Sequence, residues 1–179
     1  MNSYCLYLTL VRPPLGYATQ IWSPQSVELI TRVKRMQRRA TKYILKLPLS
    51  CNVSYTDKLK SLKLLPVTYW LEFLDLVFFF KIIHNLVNVS PSIQPVPRNT
   101  RQTRYSNNKV PKYNIPRCIT TTYQKSFTIR TVRIWNTLAD ELNFNTTVLN
   151  RFKQQWWTIT FEPCSIMAVT ILVLLRAFV

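Results

Sequence analysis

The 179-residue chain carries 24 lysines and arginines against 7 acids, a formal charge of +17, with 47% apolar and 13% aromatic residues. That apolar share supports a folded core and excludes a disordered polycation, while the charge implies a polyanionic partner, either nucleic acid or an acidic membrane surface. One glycine, one histidine and four cysteines far apart in sequence argue against phosphate-cradling loops, tight catalytic turns and a zinc signature, and so against a self-sufficient active site or a bound cofactor.

In chain order, Ser3 to Val11 is apolar enough for a short helix, which Arg12-Pro13-Pro14 must end or kink. The next stretch, "RVKRMQRRATKYILKL" from Arg32 to Leu47, holds seven basic side chains and no acid. Ser23-Pro24 supplies a capping hydroxyl and a proline suited to the first helical turn, so a helix is predicted from Pro24 to Leu47. On that helix Leu29, Val33, Met36, Ala40, Tyr43, Ile44 and Leu47 fall in an arc of roughly 100°, and Arg32, Lys34, Arg35, Arg38, Arg39, Lys42 and Lys46 fall on the other side. The apolar stripe is therefore expected inward and the basic face outward. Ser54 to Asp57 resembles a capping box opening a helix through about Leu62.

Pro66 begins the most hydrophobic helix, "PVTYWLEFLDLVFFFKIIHNLV". Glu72, Asp75, Lys81 and His84 would be costly in lipid, so a buried core helix is predicted. Its polar residues change sides along its length, which implies different neighbours for its two halves. From Asn88 to about Gln124 five prolines preclude a long helix and predict an extended basic arm, with a short strand near Ile115 or Ile119. Ser126 to Leu142 reads as a helix with Trp135 inward, and "TTVLNRFKQQWW" as a final short helix. The fold class predicted is mainly α: a small helical bundle (1–87), a basic proline-rich arm (88–125), C-terminal helices (126–157) and an apolar tail (158–179).

The tail's apolar run, Ile166 to Leu175, is shorter than the about 20 residues that cross a hydrocarbon core. Membrane association through residues 164–179 is the alternative to a nucleic-acid partner. No basic stretch precedes the N-terminal apolar run, so a secretory signal is not predicted. Cys5, Cys51, Cys118 and Cys164 are accordingly read as reduced, mostly packed thiols of an intracellular protein, nuclear or cytoplasmic.

Catalysis by acid and base or by two metals requires converging carboxylates. Glu72 and Asp75 lie one turn apart and are read as solvated or salt-bridged; His84 has no Ser, Cys or acid near it in sequence. Nucleic-acid binding requires only cations spaced along phosphates, with aromatic rings between them where the strand is single. The basic helix supplies the first, through Arg32, Lys34, Arg35, Arg38, Arg39, Lys42 and Lys46. The arm interleaves Arg101, Arg104, Lys109, Lys112 and Arg117 with Tyr105, Tyr113 and Tyr123.

Four blocks in order, "LYLTLVRPPLGYATQIWSP", "RVKRMQRRATKYILKL", "KLKSLKLLPVTYWLEFLDLVFFFKIIHNLV" and "SFTIRTVRIWNTLADEL", resemble the region after the catalytic palm in reverse transcriptases of non-LTR, jockey-like retrotransposons. The resemblance runs from about Tyr4 to Trp157. It implies a thumb-like helical appendage that grips an RNA or RNA/DNA template–primer duplex beside a palm, here supplied in trans, and it places Arg12, Trp22, the basic helix and Arg130 to Trp135 in that appendage. The family's Y/F-x-D-D motif has no counterpart in these residues, which implies a non-catalytic fragment, with an inert product of a decayed element as a further alternative. Gly16 stands where the family usually has an acid, and the tail after about Thr158 does not resemble it.

Overall fold

The computed structural model describes residues 3–48, 52–90, 95–98, 112–139 and 149–154. These residues are mainly α-helical. The elements are α1 (Ser3–Leu6), a π-helical stretch (Tyr7–Val11), α2 (Arg12–Gly16), α3 (Thr19–Trp22), α4 (Val27–Ile44), α5 (Tyr55–Ser61), α6 (Val67–Ile83), α7 (Thr121–Gln124) and α8 (Phe127–Leu138). Residues 149–154 are also helical. The described residues form two compact units divided between Leu74 and Asp75, inside α6.

In the first unit the expected break at Arg12 to Pro14 is absorbed without ending the helix. Prolines 13 and 14 offer no N–H to the carbonyls behind them. The chain widens into a π-helical turn, with the Arg12 amide bonded to the Tyr7 carbonyl, and continues to Gly16. Gly16 is needed for close approach: a Cβ there would stand 2.5 Å and 2.8 Å from two ring carbons of Trp70 on α6.

Helix α4 is shorter at both ends than predicted. Its cap is Ser26, whose Oγ accepts from the Leu29 amide at 3.3 Å, and the Ser23-Pro24 pair lies in the preceding connection. The expected box at the start of α5 does not form either; Ser54 Oγ bonds Thr56 Oγ1 at 2.8 Å, and no side chain caps the helix. The packed residues Tyr7, Leu59 and Leu64, with Leu8, Ala40, Ile44 and Leu62 around them, bring α1, the π-helical stretch, α4 and α5 together.

A single glutamine sets the register between α4, α5 and α6. Gln37, only 2% exposed, sits at a core-facing position of α4. Its Nε2 donates to the Leu65 carbonyl at 2.7 Å, and its Oε1 accepts from the Val67 amide at 2.8 Å and from the Tyr55 hydroxyl at 2.5 Å. The Val67 amide is the first donor of α6 and has no partner within its own helix. Gln37 is thus a cap supplied from another element.

Three helices end in the same way with no glycine. Lys46, Lys63 and Asn85 adopt φ of 51°, 52° and 53°, the left-handed conformation that follows many helices and favours glycine. The next residues, Leu47, Leu64 and Leu86, each bond a carbonyl five residues back: Lys42, Leu59 and Lys81. This is the Schellman closure, and of the three leucines Leu64 is fully buried in the packed cluster of Tyr7 and Leu59.

The second unit is built on aromatic rings. Phe79 packs edge-on against Tyr113 and Trp135, with ring centres 5.6 Å and 5.4 Å apart, and Phe152 stacks on both Trp135 and Phe80. Trp135 faces inward as predicted, with Ile129 and Val132 on the same side of α8. The extended segment at Tyr113 is fastened by Asn136, whose Oδ1 accepts from the Tyr113 amide at 2.9 Å while its Nδ2 donates to the Tyr113 carbonyl at 2.8 Å. The short strand expected near Ile115 or Ile119 is not formed; among the described residues there is an isolated antiparallel bridge from Pro97 to Tyr113. Arg130 on α8 gives two hydrogen bonds to Asp75 Oδ2, at 3.0 Å and 2.8 Å, in a largely buried ion pair.

Candidate nucleic-acid interface

The cations of α4 are mostly where the helical period placed them. Arg32, Arg35, Arg38, Arg39 and Lys46 are exposed, whereas Lys34 and Lys42 are half-buried. Several carry local contacts as well. Arg32 pairs with Glu28 one turn earlier at 2.6 Å, and Arg38 lies over the Tyr55 ring at 5.1 Å. Burial pushes the Tyr55 hydroxyl up to about 12, opposed by the nearby Arg38 charge. Exposed ion pairs of the Arg32–Glu28 type are worth little in water, so this one does not prevent Arg32 from turning to a phosphate.

The apolar side of α4 differs from expectation. Leu29, Met36 and Tyr43, predicted inward, are 48%, 50% and 74% exposed. The buried positions are Gln37 and Thr41, with Val33, Ala40 and Ile44 half-buried beside them. The helix is rotated about its axis because the 64–67 turn needs a hydrogen-bonding partner, and Gln37 provides it. The outward surface therefore mixes cations with apolar side chains along the length of α4, in the order Leu29, Arg32, Met36, Arg39 and Tyr43, with Lys46 in the left-handed turn just past its end.

Of the predicted arm residues, Arg101, Arg104, Tyr105 and Lys109 lie outside the described residues. Arg117 is exposed and Lys112 half-buried. Tyr113 is corrected from a stacking platform to a core residue: it is 6% exposed between Phe79 and Trp135, and burial raises its hydroxyl to about 12. Beside this segment an open cleft of about 530 Å³ is lined by Pro95, Val96, Ile115, Pro116, Tyr123 and Val132.

Arg12 is not part of any exposed surface. Its guanidinium lies 4.8 Å from the centre of the Trp70 ring, is 4% exposed, and has no hydrogen-bond partner for either terminal nitrogen. Burial lowers its affinity for the proton. Cysteines 5 and 118 are exposed and half-exposed, not packed, while Cys51 and Cys164 lie outside the described residues. His84 rests on the Phe80 ring at 4.2 Å, and burial lowers its pKa. Lys153 is also lowered, by burial and then by Lys81. Among the described residues no three His, Cys, Asp or Glu side chains converge, and no helix is long and apolar enough to cross a membrane.

Sequence reasoning missed Gln37 and Asn136, because a polar residue inside a helical pattern carries no mark of the partner it will meet. Comparison with protein-family models, with curated proteins and with solved structures finds no match.

Proposed function

We propose that the chain binds the phosphate backbone of RNA or of an RNA/DNA duplex through the outward cations of α4, as the thumb-like region of a non-LTR retrotransposon reverse transcriptase, without chemistry of its own. The observation that supports this most is the row of exposed Arg32, Arg35, Arg38 and Arg39 on one helix, with Lys46 just past its end, in a stretch from Glu28 to Asp57 with no acid between. A face kept merely soluble would intersperse acids with its bases; this one accumulates a single sign, as phosphate binding requires. Arg117 and the arm's other cations extend the same chemistry. A palm domain supplied in trans would complete the clamp.

The test is RNA affinity of the whole chain as a function of salt. Neutralising about five phosphates predicts a several-hundred-fold fall in affinity between 50 and 200 mM salt. Affinity that ignores salt, or no binding at low ionic strength, refutes the reading.

A further inference from the structure

We infer that the outward line of α4 holds an unpaired nucleic-acid strand, with Leu29, Met36 and Tyr43 lying against bases and Arg32, Arg39 and Lys46 holding phosphates between them. This rests on the nucleic-acid reading above and specifies the form of the ligand. Leu29, Met36 and Tyr43 are seven residues apart, and so are Arg32, Arg39 and Lys46. Seven residues make almost two turns, so within α4 each set drifts by only about 20° per repeat and the two stay on neighbouring sides; Lys46 follows just past the helix, in the left-handed turn that ends it. The line from Leu29 to Tyr43 is about 21 Å long at the helical rise.

The alternation selects the partner. Phosphates alone would use the cations and leave three large apolar side chains in water. A membrane surface favours a broad and continuous apolar arc, whereas Leu29, Met36 and Tyr43 stand about 10 Å apart along the axis, with Arg32 and Arg39 between them lengthwise and about 60° round the helix. A duplex keeps its base faces inside the stack. An unpaired strand offers both charges and flat apolar faces, the combination that interleaved cations and aromatic groups recognise. Tyr43, the most exposed of the three, provides the ring.

The experiment uses fluorescence anisotropy with a labelled single-stranded RNA oligomer and a labelled RNA duplex of equal length. Proteins are the full chain, Tyr43→Ser, Tyr43→Phe and the double change Met36→Ser with Tyr43→Ser. Tyr43→Ser is expected to lose about tenfold in affinity for the single strand and little for the duplex, with its salt dependence unchanged and Tyr43→Phe restoring binding. The double change should lose more. Because all three side chains are exposed, melting temperatures should stay within a few degrees; should the double variant unfold, the Ser and Phe changes at Tyr43 still decide. Equal losses on strand and duplex, or no loss on the strand, overturn this inference and leave backbone binding standing. Failure of the unaltered chain to bind either RNA overturns both.

Discussion

Each of the two units has an interior of its own chemistry. In the first, three helices are registered by one buried amide, Gln37, which caps α6 from the side. In the second, an aromatic cluster around Trp135 supplies the interior, and polar groups, Asn136 and the Asp75–Arg130 pair, fasten segments at its edge. Where a core is apolar throughout, hydrophobic periodicity identifies the inward side; where a polar residue must face inward, periodicity points the wrong way and apolar residues are turned to solvent. The surface of α4 is a direct result of that second case.

Breaking the ion pair should have the largest effect. Asp75→Ala leaves Arg130 charged and largely buried, which is expected to destabilise the fold by about 3–5 kcal/mol in urea denaturation. Next is Gln37→Leu. It leaves the Val67 amide and the Leu65 carbonyl buried without their partner, at about 1–3 kcal/mol each. Hydrogen exchange should show this loss concentrated at the start of α6. If Gln37→Leu proved neutral, the contrast between a polar and an apolar interior would fail.

A smaller change of opposite sign sharpens the comparison at the helix ends. Lys63→Gly relieves a left-handed φ without altering the core, and is expected to stabilise by about 1 kcal/mol, read as a rise in melting temperature. The smallest effect concerns pH. His84 in the folded chain has a pKa below the ordinary 6.5 because burial disfavours its charge. The unfolded chain therefore binds more protons just below that value, so this contribution is complete above about pH 6.5 and is lost as pH falls through the folded pKa. His84→Phe should flatten the acid side of the stability profile; an unchanged profile would show that the ring is not desolvated against Phe80.

The main helices were legible in sequence. Trp135 of α8 was read as inward and is buried, and Ile129 and Val132 of the same helix are buried with it. The basic character of α4 was legible as well, since Arg35 and Arg39 have nothing buried to satisfy. Its inward side was not, because the need for Gln37 arises from carbonyl and amide groups 28 and 30 residues away. Tyr113 reads as a solvent-facing ring between basic residues until Asn136 is seen to fasten its backbone against α8. The left-handed ends at Lys46, Lys63 and Asn85 were hidden because the usual marker is glycine. What remained visible there was the leucine that follows each one.

The most direct test of the account measures the salt dependence of RNA binding for the full chain and for a variant with Arg35→Gln and Arg39→Gln. Both side chains are exposed on α4, so folding should be unchanged. The account predicts weaker binding, with the slope of log affinity against log salt reduced by roughly 1.4 to 1.8, for two lost phosphate contacts. An identical slope in the two proteins would contradict it.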